Sequence, residues 1–135
     1  MQVHDLRRYR QMKRDMDLIR DLLLRIESDP QMDGTREFYF DTAEEMGISD
    51  HSTEEAAYNL GLLITAGFID GAVTIATPLQ VVRGLTWDGH EFLDNIRSDE
   101  IWSKTKEQFK ALPSVGLKVV AAAAQALVMK HIGLS

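Results

Sequence analysis

Histidine offers this chain its most versatile chemistry, because imidazole can act as a base or bind a metal. The four histidines are His4, His51, His90 and His131. His90-Glu91, with Asp94 one helical turn after His90, is spaced like part of a zinc-protease helix. However, the second ligand position holds Asp94 rather than histidine, and no third ligand is evident in the sequence. We therefore interpret His90 and Asp94 as a helix-surface pair and predict no metal site.

Other catalytic patterns are missing from the sequence. The chain has no cysteine, which excludes disulfides and thiolate metal sites. It contains no serine nucleophile elbow, no glycine-rich phosphate loop and no dinucleotide fingerprint. We therefore predict a protein that is not an enzyme and that binds no cofactor.

The net charge of −6 on the 135 residues is unevenly distributed. Residues 31–70 contain one basic and nine acidic side chains, whereas residues 101–135 contain five basic and one acidic. A surface that binds a DNA duplex needs cations opposite the phosphates. The acidic middle of the chain therefore disfavours DNA binding by that segment.

The first half of the chain has the pattern of a helix followed by a short strand. Apolar residues repeat at helical spacing over Met12–Ile26, and Ser28-Asp29-Pro30 is predicted to end that helix. The aromatic stretch Glu37–Phe40 predicts an edge strand with one face in the core. Its three aromatic rings could alternatively stack on the bases of a single strand.

Two capping boxes then predict two consecutive helices. Thr42 with Glu45 begins a short helix that Gly47 closes, and Ser52 with Glu55 begins a longer one. The longer helix is expected to continue to Ala66 and to stop at Gly67. Two helices joined by a short turn form a helix-turn-helix arrangement.

A hairpin and further helices complete the predicted architecture. Ala72–Thr77 and Leu79–Gly84 read as two strands that form a wing, and Thr86 and Ser98 can cap the helices that follow. Ser114 is predicted to open a last helix that continues to Ile132. We predict a mainly α fold with a small β-hairpin, an α+β class. A winged helix-turn-helix domain occupies residues 12–97, between an extension at 1–11 and a helical extension at 98–135.

The winged-helix interpretation places candidate DNA contacts on the longer helix, the wing and the N-terminal extension. Asn59 could read adenine and Ser52 or Thr53 could bind phosphate, because the exposed face of that helix would enter the major groove. The full candidate set is Arg7, Arg8, Arg10, Ser52, Thr53, Tyr58, Asn59, Thr77, Gln80 and Arg83. This set predicts a regulatory protein that binds double-stranded DNA.

The acidic charge supports an alternative in which the protein binds a protein partner. Glu54 and Glu55 at the helix start would repel phosphate but suit a basic protein surface, or mimic nucleic acid toward a DNA-binding protein. Aromatic and small residues in the C-terminal extension suit a homodimer interface. The candidate interface residues are Glu54, Glu55, Trp102, Phe109, Val119, Ala123 and Leu127. The charged first thirty residues rule out a signal peptide, and the uncharged run Val119–Met129 is too short to span a bilayer, so we predict a cytoplasmic protein without membrane contact.

Several segments resemble a family of small hypothetical proteins of unknown function from bacteria and phages. They are Met12–Arg20, Glu55–Leu63, Ala66-Gly67-Phe68-Ile69, Leu85–Asp94 and the closing helix from Gly116. The resemblance covers roughly residues 12 to 135, and its specificity comes from the opening Met12–Arg20 together with "LTWDGHEFLD" at 85–94. It implies a winged-helix-like domain and transfers no activity and no catalytic residue.

Overall fold

The computed structural model describes residues 12–112 and 114–134. The described part consists of six helices and one three-stranded antiparallel sheet, which makes it a mixed α+β protein. In chain order the elements are α1 (Met16–Ser28), β1 (Asp33–Phe38), α2 (Ala43–Met46), α3 (Thr53–Thr65), β2 (Ile69–Ala72), β3 (Val81–Leu85), α4 (Trp87–Ile96), α5 (Asp99–Phe109) and α6 (Leu117–His131).

Local capping determines where most of the helices begin. The side chains of Asp15, Thr42, Ser52, Thr86 and Ser98 each accept a hydrogen bond from a backbone N–H in the first turn of the helix that follows. These bonds satisfy donors that have no partner within the helix. The four predicted N-caps at 42, 52, 86 and 98 are therefore confirmed, as is the capping box between Ser52 and Glu55. The box predicted between Thr42 and Glu45 forms only in half, because the Glu45 side chain accepts from the Asp41 backbone N–H rather than from Thr42.

The last helix begins later than predicted. Its N-cap is Gly116 rather than Ser114, and no side-chain hydrogen bond caps it. Glycine tolerates the extended backbone of this N-cap position without supplying a side-chain acceptor. None of the helices in the described ranges is both long and apolar enough to cross a membrane.

The sheet has the order β1-β3-β2, so the strand that comes last in the chain lies in the centre. Asp33 pairs with Gly84, and Ile69 pairs with Leu85. A side chain at Gly84 would place Cβ only 2.7 Å from the Met32 carbonyl oxygen, so glycine allows β1 to approach closely. This close approach explains why the edge strand begins at Asp33, earlier than the aromatic stretch from which a strand was predicted.

Both strands of the hairpin are shorter than predicted. β2 lies earlier in the chain than the first predicted strand, and β3 begins and ends later than the second. Residues 73–80, which were expected to continue both strands, form a loop instead. Within this loop the side chain of Gln80 accepts from the Thr74 backbone N–H, and Leu79 is fully buried in the core. In this part of the hairpin, the buried Leu79 side chain and the hydrogen bond between Thr74 and Gln80 take the place of backbone hydrogen bonds between strands.

One hydrophobic core joins the helices to the sheet. It includes the inner faces of α1, α3 and α4, and also residues of α5 and α6. The helices of residues 98–135 therefore pack on the same core as the preceding elements. Among the largest fully buried side chains are Phe92, Leu18, Ile19, Leu22, Leu23, Leu60, Leu63 and Leu93.

Candidate interaction surface around helix α3

Asn59 faces the core rather than solvent. Its side chain is 1% exposed, and its Oδ1 accepts a 2.9 Å hydrogen bond from the Asp15 backbone N–H. Its Nδ2 donates to the carbonyl oxygens of Glu55 at 3.0 Å and Lys13 at 3.4 Å. The expectation that Asn59 is exposed to contact bases is corrected by this burial. The physical reason is that position 59 lies beside Leu60 and Leu63 on the stripe of α3 that packs against α1.

The outward side of α3, which we call the α3 face, comprises Glu54, Glu55, Tyr58, Leu62 and Thr65. Tyr58 is 39% exposed, and Leu62 is half-buried. The face carries no cation, because no lysine or arginine occurs in Thr53–Thr65. It therefore presents two carboxylates followed by an aromatic and an aliphatic side chain.

The two hydroxyl groups proposed as phosphate contacts have structural partners. Ser52 Oγ accepts from the Glu55 backbone N–H at 3.0 Å as part of the capping box. Thr53 Oγ1 accepts from the Ala43 backbone N–H at 3.1 Å and so joins α2 to α3. These two contacts orient the helix pair.

Exposed acidic side chains surround the start of α3. We define the acidic patch as Asp41, Glu44, Glu45, Asp50, Glu54 and Glu55, all of which are exposed. Residues 41–55 contain six carboxylates and no lysine or arginine, and His51 is the one side chain of this segment that can carry a positive charge. The Ser52 backbone N–H donates to the Glu55 side chain and lowers the pKa of that carboxyl below its usual range.

A groove of about 720 Å³ runs along the second half of the α3 face. Residues of α3 form one wall, and the start of α6 with the residues before it forms the other. We call it the α3–α6 groove, and its lining is Lys13, Arg14, Tyr58, Leu62, Thr65, Ala66 and residues 114–119. Arg14, one of the lining residues, donates to the Val115 carbonyl oxygen, and burial lowers the pKa of its guanidinium.

The predicted wing contacts are mostly engaged within the chain. Gln80 bridges the loop and α3, because its Nε2 donates to the Ala57 carbonyl oxygen at 3.1 Å. Arg83 lies between Glu37 at 3.7 Å and Asp70 at 3.6 Å. The Thr77 hydroxyl donates to the Leu79 carbonyl oxygen. These side chains stabilise the hairpin, and the guanidinium charge of Arg83 is compensated by two carboxylates.

Several other cations are likewise paired on the surface. Arg97 contacts Glu27 and Asp94, and these carboxylates raise its pKa, with Glu27 contributing most. Asp94 thus pairs with Arg97, where a pairing with His90 was expected from the sequence. Arg20 contacts Asp99 at 3.0 Å. Exposed pairs of this kind contribute little to stability, but they reduce the positive charge available to a polyanion.

Trp102 is a core residue, which corrects its expected place on an exposed interface. It is 3% exposed, and its indole Nε1 donates to Asp17 Oδ1 at 2.9 Å. Lys106 also donates to Asp17, and these two bonds hold the pKa of that carboxyl below its usual range, with Lys106 contributing most. The indole of Trp102 therefore faces α1, which carries Asp17.

The remaining interface candidates divide between packed and exposed positions. Phe109 is half-buried against the core, and Ala123 and Leu127 are half-buried on α6. Val119 is 54% exposed. The candidates Arg7, Arg8 and Arg10 lie outside the described residues, as does His4.

The fold also brings together three side chains that sequence inspection did not connect. His51 Nδ1 lies 3.8 Å from Asp15 Oδ2 and 3.5 Å from Glu55 Oε2. The spacing of four between His51 and Glu55 was visible in the sequence. Asp15, which is 36 positions before His51, could not be assigned to the same cluster without the packing of α1 against α3.

Comparison with known proteins gives the class to which the chain belongs. The family described as Hypothetical protein (DUF2513) matches residues 13–116, and the chain is a member of that family. This confirms the predicted resemblance to a family of hypothetical proteins of unknown function. An uncharacterized protein of Haemophilus influenzae (strain ATCC 51907 / DSM 11121 / KW20 / Rd) is 34% identical over 102 residues, covering 74% of this chain and 80% of that protein. No solved structure matches the chain.

Proposed function

We propose that the elements from α1 to α4 form a winged helix-turn-helix domain. The support is the element order α1-β1-α2-α3-β2-β3 and the strand order β1-β3-β2, with β2 and β3 as the wing hairpin. In this arrangement α2 and α3 are the helix pair, and α3 corresponds to the helix that reads DNA in DNA-binding members of the fold. Fold alone does not assign an activity, so the surface must carry the functional argument.

The surface favours a non-enzymatic protein that binds a basic protein partner in the cytoplasm of a bacterium or phage-infected cell. The observation that carries this proposal is the acidic patch, which occupies the end of the helix pair that would approach DNA phosphates. Carboxylates at this position repel a duplex and attract lysine and arginine side chains. Tyr58 and Leu62 next to the patch offer the aromatic and aliphatic contacts that protein interfaces use.

Three further observations argue against sequence-specific DNA reading by α3. Asn59 is directed into the core, Arg83 is compensated by two carboxylates, and residues 114–119 lie along the second half of the α3 face. A duplex entering there would meet both the acidic patch and the start of α6. A DNA-binding regulator remains the competing function, with its charge supplied by Arg7, Arg8 and Arg10.

A basic probe peptide and a DNA duplex together test the proposed function. We expect a fluorescein-labelled deca-lysine peptide to bind the full chain in low salt. The double variant Glu44→Gln/Glu54→Gln should weaken that binding roughly tenfold, because it removes two of the six patch charges at close range. Fluorescence anisotropy measures both affinities. The matched control is Glu91→Gln/Glu107→Gln, which removes two exposed charges from α4 and α5.

Equal weakening by both double variants would mean that only net charge matters and would contradict a local binding surface. The same assay with a mixed-sequence duplex should show no binding, even at low salt where attraction to phosphates is strongest. Tight duplex binding that falls steeply with added salt would instead establish the DNA-binding function.

We further propose that the chain forms a homodimer through the exposed side of α6. Val119, Ala122, Ala126 and Met129 are exposed and recur at spacings of three and four, so they form one outward stripe opposite the buried side of the helix. We expect sedimentation equilibrium to show a monomer–dimer equilibrium that Ala126→Glu shifts to monomer. Gln108→Glu adds the same charge at an exposed position of α5 and should leave the equilibrium unchanged. A purely monomeric wild-type chain would refute this prediction.

A further inference from the structure

Asp15, His51 and Glu55 place three potential metal ligands around one point. One oxygen of each carboxylate and one imidazole nitrogen of His51 all lie within 4.8 Å of one another. Two zinc ligands at bond lengths near 2.1 Å are about 3.4 Å apart in tetrahedral geometry. The observed separations of 3.5 Å and 3.8 Å from His51 to the two carboxylates are close to that spacing.

In each carboxylate, the oxygen that does not face His51 accepts a hydrogen bond from a backbone N–H, and this bond orients the group. Asp15 Oδ1 accepts from the Leu18 backbone N–H at 3.0 Å as the N-cap of α1. Glu55 Oε1 accepts from the Ser52 backbone N–H at 3.2 Å within the capping box. The remaining oxygen of each group is directed toward His51. Hydrogen bonds of this kind fix the orientation of metal ligands in proteins.

Asn59 holds the two carboxylate-bearing segments in position. Its buried side chain accepts from the Asp15 backbone N–H and donates to the Glu55 carbonyl oxygen. The start of α1 and the first turn of α3 therefore have one fixed separation. His51 is about four-fifths buried between them, so its imidazole has little freedom to turn away.

We propose that Asp15, His51 and Glu55 form a binding site for a divalent transition-metal ion, with Zn²⁺ as the best-matched ion. Imidazole nitrogen with carboxylate oxygens is a ligand set that Zn²⁺ accepts, and water completes a four-coordinate site. Ca²⁺ and Mg²⁺ prefer all-oxygen sites, so the histidine disfavours them. The ion would clamp α1 to α3, and this proposal does not depend on the identity of any partner.

The competing explanation is a protonated His51 that bridges the two carboxylates without a metal. Calorimetric titration of chelator-treated protein with Zn²⁺ at neutral pH distinguishes the two. We expect one saturable site per chain for Zn²⁺ and none for Mg²⁺. Asp15→Asn, Glu55→Gln and His51→Ala should each weaken Zn²⁺ binding by at least tenfold, comparable to the roughly 10–100-fold cost of losing an outer-shell partner.

The two amide variants keep the fold intact while removing a ligand. Asparagine remains a good N-cap, and glutamine still serves a capping box. Zn²⁺ should raise the melting temperature of the wild-type chain, since a ligand that binds only the folded state stabilises it. At the same Zn²⁺ concentration the rise should be clearly smaller for Asp15→Asn and Glu55→Gln, because their weaker binding stabilises the folded state less. Unperturbed melting of these variants without metal verifies their folding.

Exposed histidines provide the matched controls. His90→Ala and His131→Ala should leave the Zn²⁺ affinity and the melting shift unchanged, because both residues lie away from the cluster on α4 and α6. The proposal is overturned if the wild-type chain binds no Zn²⁺. It is equally overturned if binding survives His51→Ala or if the surface-histidine variants reduce it by the same factor.

Discussion

Asn59→Leu is expected to lower the free energy of unfolding by about 2–4 kcal/mol. Leucine has a similar volume but cannot bond to the Asp15 N–H or to the Lys13 carbonyl oxygen, so two partly buried hydrogen bonds are lost at a position that is itself 1% exposed. Each buried group left without a partner costs roughly 1–3 kcal/mol. Urea denaturation followed by far-UV circular dichroism measures the change.

Tyr58→Leu is the matched control for this prediction. Tyr58 precedes Asn59 on the same helix but is exposed, so its replacement should change the unfolding free energy by less than about 1 kcal/mol. If Asn59 were a base-reading residue, its loss would reduce DNA affinity and leave stability nearly unchanged. Equal stability of the two variants would therefore contradict the structural role assigned to Asn59.

Gly89→Ala should destabilise the protein by about 3 kcal/mol or more, at the upper end of overpacking effects. A Cβ at position 89 would lie 1.9 Å from the Phe68 carbonyl oxygen, so α4 would have to move away from the segment that precedes β2. The same carbonyl accepts from the Thr86 backbone N–H at 3.2 Å, and the Thr86 hydroxyl donates to the Gly67 carbonyl oxygen at 2.6 Å. Displacing α4 therefore strains several contacts together.

Gly61→Ala provides a control with the opposite sign. Gly61 is inside α3, and a Cβ there would meet only Gln80 at 3.7 Å and Val73 at 3.9 Å, which is ordinary contact. Alanine in a helix interior is more favourable than glycine by roughly 0.5–1 kcal/mol. Thermal melting of both variants should show a decrease for Gly89→Ala and a small increase for Gly61→Ala. A stable Gly89→Ala variant would show that α4 and Phe68 are not closely packed.

Several residues of the motif at 85–94 determine how α4 begins and how it packs. Thr86 caps α4, and Gly89 allows that helix to contact the backbone at Phe68. Phe92 and Leu93 then enter the core. Trp87, the most conspicuous residue of the motif, is 77% exposed and contributes a large aromatic surface to solvent. Much of this motif therefore encodes how α4 begins and how closely it packs on the backbone at Phe68.

Local signals in the sequence were sufficient for four of the six helix starts in the described residues and for the fold class, whereas α1 and α6 begin later than predicted, at Met16 and Leu117. An N-cap needs only a side-chain oxygen and a backbone N–H two or three residues later, so Thr42, Ser52, Thr86 and Ser98 could be read directly. The strand ends were less predictable. The length of β1 depends on the close approach that Gly84 permits, and the hairpin loop depends on Gln80 reaching α3.

For the candidate site too, some features could be predicted from the sequence and others could not. Composition alone located the acidic patch, because charges on a short polar segment remain at the surface. The sequence could not show that Asn59 faces inward, since a polar side chain on a helix can point either way until the packing partner is known. Trp102 was misplaced for a related reason, because its hydrogen-bond partner Asp17 is 85 positions earlier in the chain.

The sequence by itself therefore determined the family, the helix caps, the α+β class and the acidic surface, all of which depend on neighbouring residues or on composition. Only the tertiary structure decides which polar residues are buried, which cations are paired with carboxylates and which distant side chains lie close together. Asp15, His51 and Glu55 come together only because α1 packs against α3. Such contacts depend on the relative placement of distant segments, and that placement is set by the shared core rather than by any local pattern.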